Sequence, residues 1–174
     1  MALAVCLLFD GQTDRALRRL WDRLEDLGVP TLRSHTHGRH VPHLSYAVVR
    51  DGDSDAIRSA VRTLPDGGPV VVRFDGLGLF RRGRSWLVPA VASDLVRRQE
   101  MVVAAIAATG AELHRHYDPG AWMPHCTVAP RVSLPTLPVL AAAVYEILPL
   151  EARADRAALI DSGTGETWTL PSVP

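Results

Sequence analysis

Pro42-His43-Leu44-Ser45-Tyr46-Ala47-Val48-Val49 and Pro124-His125-Cys126-Thr127-Val128-Ala129 decide how this chain is read, because both follow one pattern: Pro-His-x-hydroxyl and then an apolar run. In an extended strand successive side chains point to opposite faces, so each His shares a face with the hydroxyl residue two positions later. Two such strands bring two imidazoles and two hydroxyls to one cleft. The surrounding sequence matches as well, with Ala60-Val61-Arg62-Thr63-Leu64-Pro65 after the first copy and Ala143-Val144-Tyr145-Glu146-Ile147-Leu148-Pro149 after the second. This is the pattern of a diverged tandem duplication, here a single domain over residues 1–174 with one motif strand in each of two pseudo-symmetric lobes.

Composition sets bounds on that reading. A chain of 174 residues, 47% hydrophobic, is long enough to bury one substantial core and too short for two independent domains of usual size. Formal charge is zero and lysine is absent, so all 19 basic residues are Arg. That balance argues against a protein that coats polyanions, while a local Arg cluster still suits a phosphate. Cys6 and Cys126 both lie in apolar runs and form neither a disulfide framework nor a thiolate metal site, which fits a reducing, cytoplasmic setting. The run Ala2 to Phe9 lacks a basic leader, stops at Asp10 and is too short to cross a membrane; it reads as a buried first strand.

Periodicity places the other elements. Leu17, Leu20, Trp21, Leu24 and Leu27 have helical spacing with Gly28 as the stop, and Asp51 to Asp55 cap a second helix carrying Ile57, Val61 and Leu64. Strands are expected at His43 to Arg50, Val70 to Phe74, Ser85 to Val91, His125 to Val132, Ala157 to Asp161 and Thr167 to Leu170. Arg81-Arg82-Gly83-Arg84 forms a hairpin turn, and further helices run over about residues 93–109 and 137–148. Residues 112–123 form an irregular approach to the second motif. This order predicts the α+β class with a mixed, largely antiparallel sheet.

Two imidazoles across a cleft move protons in both directions, one taking a proton from a nucleophile and the other giving one to a leaving oxygen. Histidine suits both tasks because its ordinary pKa lies near 6.5. Hydroxyls beside each ring hold the oxygens of a phosphate in line between them.

Paired His-x-[Ser/Thr] motifs of this spacing, each on a strand of a duplicated lobe, resemble the two-histidine (2H) phosphoesterase superfamily, which includes the 2'-5' RNA ligase-like proteins and RNA cyclic phosphodiesterases. The resemblance covers most of the chain, including the segment Phe80 to Leu95. It implies a bilobal fold around a central cleft with helices outside, and metal-independent hydrolysis of 2',3'-cyclic phosphates on RNA ends or small nucleotides to 2'-phosphates. It makes His43 and His125 the acid/base pair, with His125 favoured as base, and Ser45 and Thr127 the phosphate-oxygen donors. Two departures stand out. Ser45 occupies a position where the family more often has Thr, and Arg131 falls one place later than the family's Arg. Strand alternation puts Arg131 on the cleft side, as a phosphate-binding residue, unless Pro130 introduces a bulge.

Tyr46, Tyr117 and Trp122 are candidates to stack on a base, whereas Phe80, Trp86, Trp21 and Trp168 are expected in the core. His35, His37, His40, His114 and His116 precede the motifs without Cys or carboxylate at ligand spacing, so no metal and no cofactor is expected and the loops read as solvated. Arg81, Arg82 and Arg84 read the same way. No membrane contact and no obligate protein partner is expected. Three other functions remain open on these residues: reversible 2'-5' ligation and cleavage of RNA, a nucleotide- or RNA-binding module without turnover, and a metal-dependent hydrolase built on the His-rich loops.

Overall fold

Leu3 to Phe9 is apolar at every position, a pattern that requires cover on both faces, and in the computed structural model, which describes residues 2–174, this strand lies inside the sheet. It is β1 (Leu3–Phe9), followed by α1 (Gly11–Asp26), β2 (His43–Asp51), α2 (Ser54–Arg62), β3 (Val70–Leu79), β4 (Ser85–Pro89), α3 (Ser93–Ala107), β5 (Glu112–Leu113), β6 (Cys126–Ala129), α4 (Leu137–Tyr145), β7 (Leu150–Asp161) and β8 (Thr167–Thr169). The sheet order is β5-β2-β1-β7-β3-β4-β6, with β8 on the far half of β7. The chain has the expected α+β class, and every strand pairing among the described residues is antiparallel.

Local chemistry explains the helix limits. The Asp10 carboxylate accepts from Thr13 N–H at 2.8 Å and that of Asp53 from Ala56 N–H at 2.7 Å, each satisfying an orphan donor of a first turn. Leu17, Leu20, Trp21 and Leu24 are buried as their spacing predicts, but Leu27 is exposed because the helix has already ended there. The helices pack in two pairs, α1 with α4 and α2 with α3, and the Arg23–Glu146 ion pair joins the first.

Several strands differ from expectation: β4 stops at Pro89, short of Val91, and β5 forms a brief ladder inside the approach read as irregular. β3 continues through Gly76 and Gly78 to Leu79, and β6 is cut to Cys126–Ala129 because Pro130 has no N–H to continue the ladder. β7 begins at Leu150, seven residues early. There Ala152 and Ala154 are fully buried between exposed Glu151, Arg153 and Asp155, an alternation written in residues of low strand propensity.

The sheet curls on itself. β2 and β6 are separated by four strands in the pairing order yet meet in space. Leu32 N–H, ahead of β2, reaches the Val128 carbonyl on β6 at 3.4 Å. With β5 and β8 set aside, the order β2-β1-β7-β3-β4-β6 reads the same from either end when β1 is exchanged with β4, β2 with β6 and β7 with β3. The helix pairs obey the same exchange, α1 for α3 and α2 for α4.

Candidate active site

Both motif histidines are held in one way. His43 Nδ1–H donates to the Val41 carbonyl at 2.7 Å, and His125 Nδ1–H donates to the Met123 carbonyl at 2.7 Å. A carbonyl only accepts, so Nδ1 carries the proton in both rings and Nε2 is left as the exchanging nitrogen. The loop-to-strand turn at each motif therefore fixes a tautomer as well as a position. The approach of β2 to β6 brings the two rings close, near enough that the charge of His43 acts on His125, and sets the Cys126 thiol beside the His43 backbone.

The hydroxyl residues sit in different surroundings. Ser45 is buried, with its Oγ 3.5 Å from Cys6 Sγ on neighbouring β1 and the Tyr117 hydroxyl close by. Thr127 is half-buried and pairs across the ladder with Trp86. Because directly opposed residues share a face, Trp86 lies beside His125, with ring centroids 5.8 Å apart. Phe80 stacks on Trp86 at 4.8 Å and meets His125 edge-on at 5.1 Å, so the two aromatics form one wall of the His125 pocket. Gly78 permits this wall: a Cβ there would stand 2.3 Å from the Trp86 ring.

Three stacking candidates have other duties. Tyr46 corrects the sequence reading: it follows Ser45, points to the opposite face, is fully buried and lies 6.1 Å from Trp122, with no face open to a base. Trp122 is half-buried, and its Nε1–H donates to the Ser45 carbonyl at 3.1 Å. Tyr117 is buried and tied to the same strand through Gln99, whose Nε2 donates to the carbonyls of Tyr46 (3.2 Å) and Tyr117 (2.9 Å). Gln99 was missed in the sequence, although a lone amide on the buried face of α3, among Leu95, Val102 and Ile106, is its signal.

Residues 13–166 match the 2'-5' RNA ligase superfamily. The chain belongs to that superfamily, that of the two-histidine phosphoesterases. Among curated proteins none matches by sequence. Among solved structures, a phosphoesterase superposes with a TM-score of 0.61 at 15% identity, covering 97% of both chains. E. coli LigT in its apo form gives 0.63 at 13% identity, covering 97% of this chain and 94% of LigT. TT0787 of Thermus thermophilus gives 0.60 at 18% identity over the whole of both chains. These likenesses are of fold, and the superfamily's members are phosphoesterases and ligases.

Electrostatics in this superfamily member favour neutral imidazoles. Burial holds the pKa of His43 below the ordinary value, opposed by the Val41 carbonyl. Burial lowers that of His125 as well, aided by the charges of His43 and Arg84 and opposed by the Met123 carbonyl. Burial also pushes the Cys6 and Cys126 thiols up to about 12, so both stay protonated and unreactive.

Arg131 does not continue β6. It follows the bend at Pro130, is exposed, and acts on His35 rather than on His125. The cation near His125 is Arg84, from the turn read as solvated. His35, His37 and His40 cluster at the approach to β2, with centroids 4.2 Å apart for His37–His40 and 5.8 Å for His35–His40. Burial, then neighbouring imidazoles, push His40 down to about 4. Two ring nitrogens are engaged here: His37 Nδ1 accepts from Arg39 N–H at 3.0 Å and His40 Nε2 meets Thr36 Oγ1 at 2.9 Å, while His37 Nε2 is buried without a partner. Among the described residues no group of three or more His, Cys, Asp or Glu is arranged to hold a metal ion. No helix is long and apolar enough to cross a membrane.

Proposed function

We propose that this protein hydrolyses 2',3'-cyclic phosphates at RNA ends or in small nucleotides to 2'-phosphates by two-histidine acid/base catalysis. The observation that carries the reading is the matched clamp on the two rings, which frees Nε2 of both His43 and His125 at the junction of β2 and β6. His125 Nε2 takes a proton from water as the water oxygen bonds to phosphorus; the bond from phosphorus to O3' breaks, and His43 Nε2–H gives its proton to O3'. Ser45 and Thr127 donate to the non-bridging oxygens, where charge builds in the transition state. Solved complexes of LigT with 3'-AMP and of Kluyveromyces marxianus Usb1 with uridine monophosphate support a nucleotide-sized ligand on this fold.

Superfamily membership favours a second use of the same groups, reversible 2'-5' ligation, in which a 5'-hydroxyl replaces water as the nucleophile. We also infer that the chain is a diverged duplication: the units β1-α1-β2-α2-β3 and β4-α3-β6-α4-β7 correspond, and the end-to-end symmetry of the strand order supports this.

The test is incubation of the purified protein with 2',3'-cyclic nucleotides in excess EDTA, with products assigned by phosphorus NMR. A 2'-monophosphate is expected, and His43→Ala or His125→Ala is expected to lower turnover by about two to four orders of magnitude. A 3'-monophosphate, or wild-type turnover in either variant, overturns the reading. Turnover only of a longer 2'-5'-linked RNA moves the assignment to ligation and cleavage.

A further inference from the structure

Beside the strand that follows His125 lie two arginines that no carboxylate pairs with. Among the described residues nine arginines are in ion pairs with acids. Arg84 and Arg131 are not among them, although the chain has as many acidic as basic residues. Backbone geometry holds these two together. Val132 N–H donates to the Gly83 carbonyl at 2.7 Å, and a Cβ on Gly83 would stand 2.3 Å from the Val132 carbonyl oxygen, so only glycine, here at φ +80°, permits the contact. Arg84 follows one partner of this clamp and Arg131 precedes the other, so both side chains leave from neighbouring backbones. The bond from Leu32 to Val128 brings the segment carrying His35 against the same strand. His35 feels the charges of both Arg84 and Arg131, after burial and together with His37. Arg84 reaches further, to His125 and towards Tyr117. No acidic residue acts on His35 or His125.

Like charges held together without a counter-charge cost free energy, which an anion bound among them recovers through charge-assisted hydrogen bonds. The reacting phosphate, held between the two rings, is not that anion: Arg131 lies past the bend that ends β6, and neither Arg131 nor His35 acts on His43 or His125. We propose that Arg84, Arg131 and His35 form a second phosphate subsite beside the histidine pair, which takes the 5'-phosphate of the nucleotide whose cyclic phosphate reacts. The proposal rests on the cyclic phosphodiesterase reading for the place of the first phosphate. The second phosphate is either a terminal monoester or the diester that links the nucleotide to the preceding residue of an RNA.

Calorimetric titration with adenosine 2'-monophosphate and adenosine 2',5'-bisphosphate tests the subsite without turnover. The wild-type protein is expected to bind the bisphosphate at least about tenfold more tightly, the size of a charge-assisted contact. Exposed Arg131→Met and His35→Gln should each lower that ratio at least about threefold. Equal affinity for the two ligands in the wild type, or an undiminished ratio in both variants, overturns the subsite. Kinetics on 2',3'-cyclic AMP with a 5'-hydroxyl, a 5'-phosphate or a 5'-linked nucleotide then separate the sources. A lower KM for the 5'-phosphate alone assigns a terminal phosphate, and a lower KM for both assigns a backbone site. If none of the three is hydrolysed while the bisphosphate preference persists, the reaction assignment falls and the subsite stands; hydrolysis indifferent to the 5'-group in both KM and binding sinks the subsite alone.

Discussion

At the scale of single residues, a proton on either motif imidazole moves at Nε2, because the carbonyls of Val41 and Met123 occupy Nδ1. Burial lowers the pKa of both rings. A base must begin neutral and an acid protonated, so activity needs one proton shared between two groups that each release it more readily than free imidazole. The expected kcat/KM profile is a bell whose two midpoints both lie below about 6.5, and a bell centred above that value excludes the buried, neutral resting state. Gly78 gives a second expectation. An added methyl group meets the Trp86 ring at 2.3 Å, so Gly78→Ala should displace the Trp86–Phe80 wall, cost about 1–3 kcal/mol of stability and reduce kcat/KM. Urea unfolding and steady-state kinetics on one preparation check both effects. That the strands of His43 and His125 meet was legible because a period-two motif was repeated. Arg84 was not: its nearness to His125 depends on a turn clamped to Val132, a contact distant in sequence.

At the scale of elements, α3 braces the first motif strand through one buried amide. Gln99→Leu keeps the volume but leaves the Tyr46 and Tyr117 carbonyls without their donor, and a loss of about 1–3 kcal/mol is expected. An unchanged urea midpoint would show that the brace contributes nothing. The helices were readable because an apolar stripe at helical spacing, closed by Asp caps and Gly stops, is locally complete information. β7 was half hidden for the converse reason. Its inward positions are Ala152 and Ala154, which fit where β1 and β3 crowd against them, so the strand is specified by its neighbours more than by its own residues.

At the scale of the whole molecule, five of the seven histidines, His35, His40, His43, His114 and His125, have pKa values held down, with burial the first cause in each. Below about pH 6.5 the unfolded chain takes up protons that the folded chain declines, so stability rises with pH in that window. The urea midpoint is expected to fall as pH drops from neutrality towards 4, where His40 titrates in the fold. His40→Gln should flatten part of that slope, and a midpoint constant over the range would contradict the lowered pKa values of these rings. The end-to-end symmetry of the sheet has a consequence for covalent continuity. β3 closes the first half of the chain, yet its ladder partners are β4 and β7 of the second half, and β7 in turn pairs with β1 of the first. The two halves are thus interlaced through their last strands, and the peptide bond between exposed Arg81 and Arg82 is not what keeps them together. A specific protease site inserted there should yield a nicked protein that shows two bands when denatured and one undivided, working particle when native.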